Sequence, residues 1–230
     1  MSSGLYLEKK SQKGWIRWAI LATLASLIVI TIYYAYQWFT TGNQPPVIPL
    51  PAAALADPSI DESPISQQDK DTYTVPATQP RFISIPALGI TNARVQNVGL
   101  TKNNLLDTPA NINDTAWYNK SATPGQGYGS VLIDGHNGGI SRDGVFAGLD
   151  KLKGDDEITI ERGDGKKYTY KVVENKTESL QDANTTGMKR LMTPYDTSKE
   201  GLGLITCAGK WVPRDKVFDK RILVRAVAID

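Results

Sequence analysis

Hydrophobic positions fall into two regimes along this chain. From Trp18 to Tyr36 nineteen residues, WAILATLASLIVITIYYAY, run without a charge, long enough to cross the hydrocarbon core of a bilayer as one helix. Strand-like patterns begin only after residue 80. Arg81–Ile85 alternates and stops at Pro86, Ser130–Ile133 is a short apolar run, and Glu157–Glu161 and Lys167–Val173 alternate on either side of Gly163-Asp164-Gly165. The last arrangement is a hairpin signal. Gly203–Thr206 and Arg221–Ile229 complete the set. Short strands separated by turn signals predict a mainly β domain, a closed barrel or a sandwich. Helix is expected there only as short turns near residues 113–118, 145–151 and 187–192. The polar stretch Glu174–Gly201 exceeds ordinary loop length and reads as a functional or mobile loop.

The flanks of the apolar run set its orientation. Lys9, Lys10, Lys13 and Arg17 precede it, and no charge follows until Asp57, so the positive-inside rule keeps the N-terminus cytoplasmic and the rest of the chain outside. Trp15 and Trp18 at one end, with Tyr33, Tyr34, Tyr36 and Trp38 at the other, have the placement of interfacial aromatic belts. Ala54-Leu55-Ala56 has the small residues of a signal-peptide cleavage site. The apolar run is longer than a secretory core, however, and lies too far from that site, which favours an uncleaved anchor over Trp18–Phe39. Eight of the thirteen prolines lie between Thr40 and Pro80, a composition suited to an extended, semi-rigid spacer. The chain thus divides into a cytoplasmic N-terminus (1–17), a transmembrane helix (18–39), a proline-rich linker (40–80) and a β-rich domain (81–230).

Charge and composition mainly exclude. The 230 residues carry 26 Lys plus Arg against 24 Asp plus Glu, a net charge of +2, which gives no basic footprint for nucleic acid. One Cys and one His permit neither a disulfide framework nor a structural zinc site. No phosphate-binding glycine loop is present. Asp155, Asp156 and Glu157 lack calcium-loop spacing and read as a solvated turn. No metal or cofactor is expected.

The remaining chemistry concentrates at three places. Cys207 follows the apolar Leu204-Ile205-Thr206 and precedes Ala208-Gly209, placing it at the end of a strand. Free Cys is usually a small buried hydrophobe, but an unpaired thiol on an exported domain is an oxidation liability that a reactive role would explain. His136 follows Val131-Leu-Ile-Asp-Gly135 and precedes Asn137-Gly138-Gly139, again a strand end. It is the only imidazole available to pair with the only thiol, for thiolate attack and proton donation to a leaving amine. A guanidinium could hold substrate carbonyls or a developing oxyanion. Arg221 and Arg225 both qualify, since alternation puts them on one strand face.

Ile133-Asp-Gly-His136, Leu204-Ile-Thr-Cys207 and Asp219-Lys-Arg221-Ile-Leu-Val224 together resemble the sortases, cysteine transpeptidases of bacterial cell surfaces. Supporting similarity runs through Arg81–Ile90, Trp117-Tyr118, Pro124-Gly125 and Gly129-Ser-Val131, so it covers about 150 residues, the size of a domain. The resemblance implies an eight-stranded β-barrel with short helices, which recognises a Leu-Pro-x-Thr-Gly-like sorting signal at the C-terminus of surface proteins. It also implies the roles: Cys207 as nucleophile, His136 as acid then base, and Arg221 holding substrate and oxyanion. Thr206 is similar to a residue that helps order substrate, though a β-branched residue there also simply fills a sheet. The acceptor would be an amine, from a peptidoglycan precursor or a pilin lysine. Gly144-Val-Phe-Ala-Gly-Leu149 and the long spacer are most like class F, with classes D and E sharing the skeleton. Two other readings keep the same barrel: a catalytically silent surface binding module, and a cysteine endopeptidase that uses water as acceptor.

Overall fold

The computed structural model describes residues 13–45 and 60–229. The basic residues Lys9 and Lys10, the Ala54–Ala56 site and the prolines from Pro46 to Pro58 lie outside the described residues. Lys13–Thr41 forms one helix, α1, long and apolar enough to cross a membrane from Gly14 to Thr41. Its serine and threonine hydroxyls bond within the helix: Thr23, Ser26, Thr31 and Thr40 each donate to the carbonyl one turn back at 2.8–2.9 Å. That is the arrangement a helix needs where no water is at hand.

Residues 80–228 form a closed eight-stranded barrel in the order β1-β2-β3-β4-β7-β8-β6-β5. The strands are β1 (Pro80–Ile85), β2 (Ile90–Val98), β3 (Thr115–Tyr118), β4 (Ser130–Gly135), β5 (Glu157–Arg162), β6 (Lys167–Ser179), β7 (Gly201–Val212) and β8 (Val217–Ala228). β2–β3 and β4–β7 are parallel pairs, while β1–β2, β1–β5, β3–β4, β5–β6 and β6–β8 are antiparallel. Closure leaves no edge, and inward residues from every strand fill the interior. Ile83, Val95, Trp117, Val131, Ile133, Ile158, Ile160, Tyr170, Leu202, Leu204 and Val224 belong to one buried cluster.

A second, smaller cluster lies on the outer face. Leu132 of β4, Ile205 of β7 and Leu223 of β8 alternate with inward neighbours, so they point outwards. They are buried because Ala183 and Leu191 pack on them, with Met188 and Met192 alongside. Those four come from a helical segment made of α3 (Leu180–Asp182), a π turn (Ala183–Gly187) and α4 (Met188–Leu191), the last followed by Met192. The expected loop Glu174–Gly201 is therefore ordered in most of its length. Its first residues extend β6 to Ser179, and the next twelve are helical. The sparse apolar residues there, too few to signal an amphipathic helix in sequence, are the ones that dock.

Two further expectations change. The helical turn expected at 113–118 is instead β3, where Thr115–Tyr118 pairs with β2 and β4; β-branched and aromatic residues in a buried pairing override the local turn signal. The expected spacer is not uniform either. Residues 60–79 follow the barrel: Tyr73 donates its hydroxyl to Val95 O at 2.6 Å, Arg81 Nε donates to Tyr73 O at 2.7 Å, and α2 (Gln67–Thr72) starts on a capping box between Ser66 and Asp69. Non-prolyl residues dominate this half, so backbone groups there find fixed partners.

Candidate active site

β4 and β7 run parallel with Ser130 opposite Gly201 and Asp134 opposite Ile205. Continued two positions, that register sets His136 beside Cys207. The continuation is held by Thr206, whose Oγ1 donates to Gly135 O at 2.7 Å. Since Leu132 and Ile205 face outwards, so do Asp134, His136 and Cys207. Arg221 shares the outer face of neighbouring β8 with Leu223. The site is therefore a polar row on the outside of three adjacent strands, next to the apolar patch covered by α3 and α4.

His136 stands immediately after β4, as its sequence context implies. Its Nε2 lies 2.6 Å from Pro109 O. A carbonyl oxygen can only accept, so Nε2 carries the proton in this contact and Nδ1 is the nitrogen left to exchange one. No hydrogen bond joins His136 to Cys207 among the described residues. Behind the ring, Phe146 N donates to His136 O at 2.9 Å. Gly144 closes this turn, where an added Cβ would sit 2.3 Å from His136 O, closer than any side chain allows.

Cys207 is partly exposed and free. It lies within β7 rather than at its end, and Arg221 is likewise the fifth residue of β8 rather than its first. Both strands continue past the point where β4 stops. The consequence for Cys207 is the one a strand end would give, because its neighbour on the β4 side is a loop. Burial pushes the Cys207 thiol up, Arg221 opposes that rise, and Asp134 adds to it. Burial also pushes the Asp134 carboxyl up, to about 7, with the Gly135 N–H and the charge of Arg221 working against it. Asp134 is absent from the residues that sequence motifs single out for a role, although alternation from His136 puts its carboxyl on the same face.

Arg221 spends Nη1 on two backbone carbonyls, Phe218 O at 3.0 Å and Lys220 O at 2.7 Å, which fixes the guanidinium plane and leaves Nη2 and Nε free of those contacts. Arg225 is occupied elsewhere: Nη2 donates to Thr193 O at 3.1 Å, and the guanidinium lies 4.9 Å from the Tyr195 ring centroid. The two candidates are thus separated, and the field of Arg221 is the one that reaches the thiol. Thr206 is fully buried with its hydroxyl committed to Gly135 O, so it stitches β4 to β7 and has no direct access to a ligand. A cleft of about 530 Å³ opens beside the row, lined by Asn137, Gly144, Val145, Cys207, Ala208 and Ile222 among others.

The Sortase domain family model matches residues 83–229, well over half of the chain. The protein belongs to the sortase family. Members of that family are cysteine transpeptidases, and the barrel is the sortase fold. Sortase A from Corynebacterium diphtheriae is 24% identical, covering 78% of this chain and 79% of its own, with a TM-score of 0.50. Sortase C from Streptococcus pneumoniae is 18% identical, covering 84% of each chain, also at 0.50. Sortase C-1 from Actinomyces oris is 18% identical, covering 76% of this chain and 90% of its own, at the same score. At these identities the solved sortases share the fold, and their classes do not transfer. No curated protein matches the chain.

Proposed function

We propose that this protein is a membrane-anchored sortase that cleaves a Leu-Pro-x-Thr-Gly-like signal on surface proteins and transfers the acyl group to an amine. The observation that carries the reading is the β4–β7 register, which continued two positions sets the single imidazole beside the single thiol. The field of Arg221 on that thiol supports it.

The chemistry follows from the site. Cys207 passes its proton to His136 Nδ1, the resulting thiolate attacks the Thr carbonyl, and the carbonyl electrons move onto oxygen, where the Arg221 fork stabilises the charge. On collapse the C–N bond breaks, and His136 gives the Nδ1 proton to the departing Gly amine. The thioacyl enzyme is then attacked by the acceptor amine; neutral Nδ1 takes a proton from it, and the C–S bond breaks to release the thiolate, which takes that proton back from Nδ1 to restore the thiol. Pro109 O retains Nε2–H throughout, so the ring keeps its orientation while Nδ1 cycles. Because burial raises the thiol, the thiolate is a minor species at neutral pH, and every interaction that supports it bears directly on rate. The helix α1 would hold the enzyme in the bacterial cell membrane by a single pass with the barrel outside, where sorting signals and either peptidoglycan precursors or pilin lysines are met. The Gly144–Leu149 segment keeps class F the favoured class, with D or E as alternatives.

The test is to incubate the full chain in detergent with a library of sorting-signal peptides and several amine acceptors, and to weigh the products. Acyl–amine conjugates are expected. Free carboxylic acids alone would make the protein an endopeptidase, and no cleavage with retained peptide binding would make it a silent binding module.

A further inference from the structure

The imidazole of His136 is oriented by one carbonyl, Pro109 O, and Pro109 belongs to a connection between β2 and β3 that has little regular structure. What fixes this connection is a short segment before the barrel begins. Asp61 N donates to Ala110 O at 2.9 Å, and Ile112 N donates to Asp61 O at 2.9 Å. Asn111 Nδ2 donates to Asp61 Oδ2 at 3.1 Å and to Ser63 O at 3.0 Å, and Asn113 Nδ2 donates to Ser63 O at 3.0 Å. Asn111 is 7% exposed, so its own two bonds to the segment are shielded from water.

The loop on the other side of the imidazole, residues 137–144, is held by the intervening residue. The Glu62 carboxylate accepts from the N–H groups of Ile140 and Ser141 and from the Ser141 hydroxyl. The approach is close: a Cβ at Gly139 would lie 2.2 Å from Glu62 Oε1. The Ser141 hydroxyl chiefly holds the Glu62 carboxyl below its usual range, and Ser63 does the same for Asp61, so both remain ionised acceptors at neutral pH. Three consecutive residues therefore tie together the two loops that bracket His136, one through its ring partner and one through its own continuation.

We infer that Glu62, with Asp61, is a positioning residue for proton transfer: the Asp61–Ser63 strap latches the 109–113 and 137–144 loops together and thereby sets the His136 ring. The inference rests on the reading of His136 as the acid and base. It makes the end of the linker part of the catalytic apparatus without touching substrate. Loosening one loop lets the ring leave the orientation in which Nδ1 meets the leaving amine, and misplacement of a reacting group on that scale costs rate steeply.

The single His makes the test direct, because an untagged full chain gives one imidazole signal by NMR. Glu62→Ala is expected to change the chemical shift and broaden the line of that signal and to lower single-turnover acylation about tenfold or more, with kcat falling and KM little changed. Alkylation of Cys207 by iodoacetamide should keep its rate, since the thiol does not contact the strap. Glu62→Gln, which keeps the shape but loses an acceptor, should fall between; it also serves if Glu62→Ala folds poorly. An unchanged imidazole signal and wild-type acylation in both variants would overturn the latch. A wild-type enzyme indifferent to His136→Asn would instead overturn the role of His136, so the two failures are distinguishable.

Discussion

Just before β7, Glu200 is 4% exposed and fully occupied: it accepts from Gly125 N at 3.0 Å, Gly127 N at 2.7 Å and the Tyr170 hydroxyl at 2.5 Å. Seven residues on, inside β7, Cys207 has no hydrogen bond among the described residues, and Asp134 on neighbouring β4 has only the Gly135 N–H and the charge of Arg221 acting in favour of its ionised form. The approach to the strand buries a carboxyl group and satisfies it. The middle of the strand brings together two half-buried ionisable groups and leaves them wanting. A satisfied buried carboxylate rigidifies its surroundings and stays as it is, whereas under-satisfied groups with raised pKa values are where chemistry is run. The Gly125 backbone at φ +75° belongs to the first kind of arrangement, since an added Cβ would lie 2.1 Å from the Tyr168 ring.

The largest expected contrast is between these two places. Cys207→Ala should abolish both cleavage and transfer while leaving the thermal midpoint almost unchanged, because the side chain is partly exposed and makes no bond to lose. Glu200→Ala should do the reverse. It strands two backbone N–H groups and a buried hydroxyl, a loss of about 3 kcal/mol or more in stability, while the folded fraction retains its acylation rate. Urea titrations paired with burst-phase assays separate the two; thioester formation by the Ala variant of Cys207 would dissolve the comparison.

The next contrast lies within β8. Arg221→Lys should lose about a hundredfold in acylation despite keeping its charge, because an ammonium cannot reproduce a fork already anchored on Phe218 O and Lys220 O. Arg225→Lys should be nearly silent, its guanidinium being committed to Thr193 O and Tyr195. If single-turnover rates rank the two the other way, the charge that supports the thiol has been assigned to the wrong end of the strand.

How far the sequence could carry these contrasts depends on whether a signal is local. β4, β5 and the start of β6 announce themselves through apolar runs and a Gly-Asp-Gly turn, and His136 and Cys207 stand out because each is the only residue of its kind. β3 is invisible by the same means, since its four residues become a strand only through partners on both sides. The choice between Arg221 and Arg225 is likewise not local: both sit on one face, and what separates them is Thr193 and Tyr195, more than twenty residues away in sequence. Thr206 reads equally as a substrate contact or a strand residue until Gly135 O is placed beneath it. Glu62 lies in a stretch whose composition says linker, and only the 137–144 loop reveals its use.

The smallest effect, and the sharpest probe of the under-satisfied place, concerns Asp134. Its folded pKa of about 7 lies above the usual carboxylate value, so the folded state favours the neutral acid. The stability this contributes is fully present below the unfolded pKa near 4 and is lost as pH rises through about 7. Asp134→Asn mimics the neutral acid and cannot ionise. The wild-type thermal midpoint should therefore decline from pH 5 to pH 8 by more than that of the variant, a few degrees in a scan at matched ionic strength. The same substitution removes the negative charge that helps push Cys207 up, so the midpoint of the alkylation-rate profile should move to lower pH, whereas Arg221→Ala should move it higher. Parallel midpoints in all three proteins would mean that burial alone sets the thiol. In that case the row on the outer face would be three neighbours and not one coupled site.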